Sequence, residues 1–197
     1  MPRVSEEYLK DVKLKILHSA LKCFGSKGIA GTSMRDICKE SGLSTGALYH
    51  HFKSKDEVIA SIASLGRDLN DELFHLHLSP EEKITELLNR VFDAYKTAFY
   101  RNASAANIHF YSESLINDEV MKLIRASYEQ VRFEIIKILK ELKRKKKYKK
   151  EFSPEDLADV IVSMQMGFQY QLFIMPELRI DQFKNTVRTM IFSMIRD

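Results

Sequence analysis

Between Ser33 and Phe52 the chain spells out two short helices separated by a single residue, and that leaves few folds open. Ser33 is placed to cap a helix over Met34–Ser41, in which Met34, Ile37 and Cys38 share one apolar face. Gly42 follows in the position where glycine stops helices. Ser44 is placed to cap a second helix running through Phe52, so only Leu43 lies between stop and start. Two short helices joined by a tight glycine turn form the platform that a groove-entering helix needs beneath it. Leu48 and Phe52, four residues apart, point the same way and anchor the second helix to a core. Gly46 and His50 point the opposite way, with Thr45 and Tyr49 on one flank and Ala47 and His51 on the other. That face is small at its start and then offers donors and aromatic edges, which suits close approach to stacked bases. Thr45, Gly46, Ala47, Tyr49 and His50 are the candidates for base contact, with Ser44 as the cap beside them. Thr32, Ser33, Tyr49, His51, Lys53 and Lys55 are the candidates for phosphate contact. Arg35 could reach a base or a phosphate, or simply be a solvated residue.

The charge distribution agrees. Residues 1–55 hold ten Lys or Arg against five Asp or Glu, whereas residues 56–197 hold twenty-one against twenty-two. Seven of those twenty-one fall in the run Lys143–Lys150, so the remainder of the chain is acidic. Positive charge concentrated at the helix-turn-helix end is expected where release of phosphate counterions drives binding. The Lys143–Lys150 run reads as a solvated helix end favoured by the helix dipole, or as a second anionic contact.

Further helix starts are written clearly. Ser54–Glu57 is a capping box opening a helix expected over 55–78. Ser79-Pro80-Glu81-Glu82 and Ser153-Pro154-Glu155-Asp156 each place a cap, a proline at the first helical position and acids in the first turn. A first helix is expected over roughly Val4–Phe24, ending at Gly25, with others over Ala103–Leu115 and Asp118–Lys143, and Asp181 is expected to cap the last. The helix after Pro80 is expected to carry its apolar face on through Tyr95 to Phe99. This reads as an all-α chain of about nine helices: an N-terminal three-helix helix-turn-helix domain (1–54) and a larger C-terminal helical domain (55–197), to which the family resemblance given below adds ligand binding and dimerisation.

The last two helices carry more apolar surface than one core uses. In Leu157–Ile174 the seam Leu157, Ile161, Met164, Phe168 and Leu172 serves the chain's own core, leaving Ala158, Val162, Met166, Tyr170 and Phe173 over. The final helix adds Phe183, Val187, Met190 and Met194. Either these helices are wholly internal, or they meet a second copy in a two-fold four-helix bundle, which is the more economical reading.

Chemistry beyond binding is not written here. His75 and His77 are two apart and face different ways, and no H-E-x-x-H, phosphate loop or G-x-S-x-G is present, so neither a metal, a cofactor nor a catalytic centre is expected. Cys23 and Cys38 read as small buried hydrophobes or as a redox pair. With no long apolar run and no leader-like N-terminus, the expectation is a cytoplasmic protein without a membrane partner.

From ILHSALKCFGSKGIAGTSMRDI through LYHHFKSKDEVI the chain closely resembles the tetracycline-repressor-like (TetR) family of regulators. Ala20, Phe24, Gly28, Thr32, Ile37, Gly42, Leu48, Tyr49, Phe52, Lys55 and Glu57 fall at the family's spacing, while Cys38 stands where alanine is commoner. The resemblance implies operator DNA as partner, a homodimer built through the last two long helices, and a pocket for a small-molecule effector. By the same resemblance, Phe92, Tyr95, Phe99, Phe110, Tyr128 and Phe168 lie on the helices that enclose the pocket, with His109, Gln165 and Gln169 as polar candidates. Each is equally explicable as core or surface. A pocket rich in Phe, Tyr and Met suits an apolar or aromatic effector. The reading is a ligand-responsive DNA-binding regulator, a repressor on a palindromic operator. Its alternatives are a small-molecule or lipid-binding helical protein without operator binding, and an activator of the same fold.

Overall fold

The structure is a computed structural model describing residues 5–74, 77–145 and 151–195, with the backbone alone for 65–74, 98 and 99. The described residues form nine helices and no strand: α1 Glu6–Lys27, α2 Met34–Ser41, α3 Thr45–His51, α4 Lys55–Phe74, α5 Pro80–Ala94, α6 Ala98–Ser114, α7 Asp118–Arg144, α8 Pro154–Ile174 and α9 Ile180–Ile195. Serine caps open six of them. The hydroxyls of Ser5, Ser33, Ser44, Ser54, Ser79 and Ser153 each accept a main-chain N–H from the first turn, satisfying a donor that would otherwise lack a partner.

Several boundaries differ from the sequence expectation, among them the start of α6, at Ala98 rather than Ala103. The first helix runs through Gly25 to Lys27 and stops at Gly28, whose φ of 74° is open to glycine at little cost and whose N–H bonds Phe24 O. Gly25 serves packing instead: a Cβ there would lie 3.1 Å from the Asn102 carbonyl oxygen and from Ala105 Cβ. The helix after Pro80 ends at Ala94, because the N–H groups of Tyr95, Lys96 and Thr97 turn back onto carbonyls three residues earlier. Asp181 lies inside the first turn of α9 and pairs with Lys96 at 2.7 Å rather than capping the helix. The cap of α7 is Asn117, whose Oδ1 accepts from the N–H groups of Glu119 and Val120.

The chain divides into two compact units, Met1–Leu65 with Asn102–Ile124, and Gly66–Arg101 with Arg125–Asp197. In the first, Ile16, Ala20 and Phe24 of α1 are fully buried, as are Ile37, Leu48 and Val58 of the next three helices. Phe110 of α6 meets the Phe24 ring edge-on at 5.8 Å. In the second, α5, α7, α8 and α9 share a core including Ile84, Phe92, Leu139, Leu157, Phe168 and Ile191. The face of α8 expected to be left over is partly used there, since Ala158 and Val162 are buried. Val187, expected at an interface, is only 4% exposed and belongs to this core. Phe183 is half-buried against Phe92 and Phe168.

Candidate nucleic-acid interface

The second short helix, α3, stands on a chain of local contacts. After Gly28, the Thr32 hydroxyl donates to the Gly28 carbonyl at 2.7 Å and the side chain is buried. Ser33 and Asp36 form a reciprocal capping box: Asp36 N–H donates to Ser33 Oγ at 3.2 Å, and Ser33 N–H to the Asp36 carboxylate at 2.9 Å. Lys27 of α1 reaches the same carboxylate at 2.5 Å. Hydrogen bonds from Lys27 and from Ser33 hold the Asp36 carboxyl far below the ordinary carboxylate range. A second ion pair, Lys22 with Glu40 at 2.5 Å, also joins α1 to α2. Both pairs are exposed, so they set orientation more than stability.

Gly42 takes the left-handed conformation, φ 65° and ψ 18°, and ends α2 with its N–H on Lys39 O. Cys38 closes the turn that follows, its Sγ donating to the Leu43 carbonyl at 3.0 Å and lying 3.8 Å from Thr45 Oγ1. Ser44 caps α3 by accepting from Ala47 N–H at 3.2 Å. Leu48 and Phe52 are buried and hold the helix down, as their spacing predicts. On the outer side, Thr45, Gly46, Tyr49 and His50 are exposed and Ala47 and His51 half-buried. Tyr49 keeps 42% of its surface accessible. Arg35 is exposed on the first turn of α2.

The phosphate candidates divide by what already occupies them. Thr32 and Ser33 are committed to the turn and the cap just described. Lys53 is exposed and donates to the Tyr49 carbonyl at 2.7 Å, which leaves further N–H donors on the ammonium. Lys55 is more deeply engaged. Its ammonium donates to Ile29 O at 2.7 Å and Thr32 O at 3.1 Å, pinning the start of α4 to the turn between α1 and α2. Nothing in the spacing signals this contact, since its partners are main-chain atoms more than twenty residues away. Lys13 is also new to the site: its ammonium lies 6.0 Å from the Phe52 ring centre. Burial first, then the charges of His50 and Lys13, lowers the His51 pKa below its ordinary value. The rings of His50 and His51 meet edge-on at 5.3 Å.

The residues expected around an effector are divided between the two units. His109 and Phe110 belong to the first unit, His109 with its Nδ1 3.3 Å from where a Cβ on Gly28 would sit. In the second unit the rings of Phe92 and Tyr95 lie 4.8 and 5.4 Å from that of Phe168, and Gln169 donates to the Tyr95 hydroxyl. Gln165 is half-buried. The Tyr128 hydroxyl bonds Asp159, which is held as well by both forks of Arg132 at 2.5 and 3.1 Å. The Phe99 side chain lies outside the described residues. Separately, an open groove of about 1090 Å³ is lined by Glu81, Thr85 and Glu86 of α5 and Asn185, Arg188 and Phe192 of α9. Of the expected interface residues, Met166, Tyr170, Phe173 and Met190 are exposed and Met194 is half-buried. Among the described residues no helix is long and apolar enough to cross a membrane, and no group of three or more His, Cys, Asp or Glu could hold a metal.

Residues 16–62, the segment that builds α1 through the first turns of α4, match the family model of bacterial regulatory proteins, tetR family. By this segment the chain is similar to the tetR family. It is 36% identical over 87 residues to the HTH-type transcriptional repressor KstR2 of Mycolicibacterium smegmatis, a stretch covering 41% of each chain. It is 28% identical over 128 residues to the HTH-type transcriptional regulator BetI of Agrobacterium fabrum, covering 63% of this chain and 60% of that one. The chain thus spans under two thirds of the length of these curated relatives. The fold extends further than the sequence likeness. A transcriptional regulator from Saccharomonospora viridis in complex with choline superposes with a TM-score of 0.78 at 16% identity, over 95% of this chain and 99% of that one. Salmonella enterica GusR gives 0.74 at 21% identity over 98% of both.

Proposed function

We propose that this chain is a DNA-binding transcriptional regulator, a repressor that binds a palindromic operator as a homodimer and is released by a small apolar or aromatic effector. One observation carries the reading: α3 is fixed by Leu48 and Phe52 beneath and presents Thr45, Gly46, Tyr49 and His50 to solvent above. A helix held in this way on a glycine turn enters the major groove with its exposed face against base edges. Lys53 and Arg35 flank that face with exposed cations suited to backbone phosphates. Names of the relatives support the reading, since KstR2 is a repressor and BetI a regulator.

Two copies are needed to read two half-sites. Met166, Tyr170 and Phe173 of α8 and Met190 of α9 supply an exposed apolar face for the second copy. The domain boundary at residues 54 and 55 is functional: α4 begins at the reader and leads on along the chain to the effector domain. An effector that shifts α4 lowers operator affinity by a coupling of roughly 1–3 kcal/mol, and operator DNA weakens effector binding equally. Such a regulator works in the cytoplasm, where its operator lies.

The test is selection from a random duplex pool followed by titration of the enriched sequence. The expected outcome is a two-fold symmetric site bound by a dimer and weakened steeply by salt. Retention of all sequences alike, with no enriched site, would overturn the reading.

A further inference from the structure

Within the operator-binding reading, on which this inference rests, we infer that α3 recognises its half-site chiefly through thymine 5-methyl groups, using the methyls of Thr45 and Ala47. The seven residues of α3, Thr45–His51, include no Arg, Lys, Asn, Gln, Asp or Glu. Those are the side chains that pair bidentately with guanine or adenine, or accept from cytosine. The face that meets the bases therefore lacks the usual means of reading three of the four. Thymine differs, since its major-groove mark is a methyl group, recognised by contact with an apolar carbon such as that of Ala or Thr.

The geometry puts such carbons at the right end of the helix. Thr45 is exposed, and its hydroxyl lies 3.8 Å from Cys38 Sγ, on the side of α2. With the hydroxyl so placed, the γ-methyl is the group of this exposed side chain left to meet a base. Ala47 is half-buried beside it, with its N–H held by the Ser44 cap. Between them Gly46 has open space at its Cβ position, with Ser44 Oγ at 4.0 Å as its nearest neighbour. Nothing on this turn therefore holds the backbone away from the groove floor. Cations sit elsewhere: Lys53 lies past the other end of α3 with its ammonium on Tyr49 O, and Arg35 is on α2. His50 offers a single ring donor, enough for one hydrogen bond to a purine.

The test uses the site enriched from a random duplex pool, with each thymine replaced in turn by deoxyuridine, which pairs identically and lacks only the methyl. At one or two positions in each half-site the substitution should weaken binding about fourfold, the worth of one buried methyl. Thr45→Ser keeps the hydroxyl beside Cys38 and removes the methyl, so it should make thymine and uracil equivalent at one of those positions. Ala47→Gly should do the same at the other. The deoxyuridine series uses the unaltered protein, so it stands even if a variant folds poorly. Unchanged affinity at every thymine, with loss instead when guanine is replaced by 7-deazaguanine, would overturn methyl reading and leave the regulator intact. Failure to enrich any sequence would overturn the regulator reading and this inference with it.

Discussion

The ammonium of Lys55 lies 2.7 Å from the carbonyl oxygen of Ile29, and through this contact the first turn of α4 is tied to the turn that launches α2. A second bond, to Thr32 O, occupies another of its donors. Lys55→Ala should therefore leave the part-buried Thr32 carbonyl without the ammonium, while Ile29 O keeps the Thr32 N–H at 3.2 Å, and lower stability by about 1–3 kcal/mol. Its salt slope for operator binding should stay near the parent value. Lys53→Ala, by contrast, should reduce the slope by about one unit at unchanged stability. Urea denaturation and a salt titration of each variant decide between clamp and phosphate contact, and a slope lost in Lys55→Ala would return that residue to the DNA.

Tyr49 is exposed on the flank of α3 while its neighbour Leu48 carries the packing. Tyr49→Ala should leave the fold intact and weaken specific binding by about 1–3 kcal/mol if the phenol meets a base edge. Operator affinity equal to the parent in a mobility-shift titration would remove Tyr49 from the contact face.

The interface prediction must avoid the core. Phe168 is 1% exposed and packs on Phe92, so Phe168→Ala should cost about 3–5 kcal/mol of stability rather than act on assembly. Tyr170 and Met190 are 58% and 40% exposed, so Tyr170→Asp and Met190→Asp should fold normally and run as monomers in light scattering. Dimers persisting in both would move the interface off α8 and α9.

His51 gives stability and binding opposite pH dependences. Burial lowers its pKa in the folded chain from 6.5, so the unfolded chain takes up the proton first as the solution is acidified. Its contribution is complete above pH 6.5 and is lost as the pH falls through the lowered value. Phosphates favour the charged ring, so operator affinity should instead rise over the same window. His51→Gln should make both profiles shallower, with His18, also lowered by burial, still contributing to that of stability, and profiles identical to the parent would take His51 out of both effects.

Short-range chemistry was legible in the residues themselves. Met34–Ser41 with its Ser33 cap and Gly42 stop, the single-residue turn, and the proline-marked starts of α5 and α8 all follow from neighbours within four positions. Caps, glycine stops and helical periodicity are local, so one sequence suffices to read them. Where a boundary depended on distant atoms, reading failed. Gly25 looked like a stop and is a contact point for α6, because a glycine that ends a helix and one that lets another backbone approach are the same letter.

Burial was decided by the tertiary structure for the same reason. Ala158, Val162 and Val187 sit on faces that periodicity alone assigns as surplus, yet the helices packed around them close over all three. Met166, Tyr170 and Phe173, on the same helix as the first two, remain open. Likewise Lys55 carries a charge that the sequence offers to any anion, and only folding brings it within reach of two main-chain carbonyls. Helix type and ends are local properties of a chain of side chains. Which face is covered, and which charge is already engaged, depends on segments dozens of residues apart, and that is information held only by the packed fold.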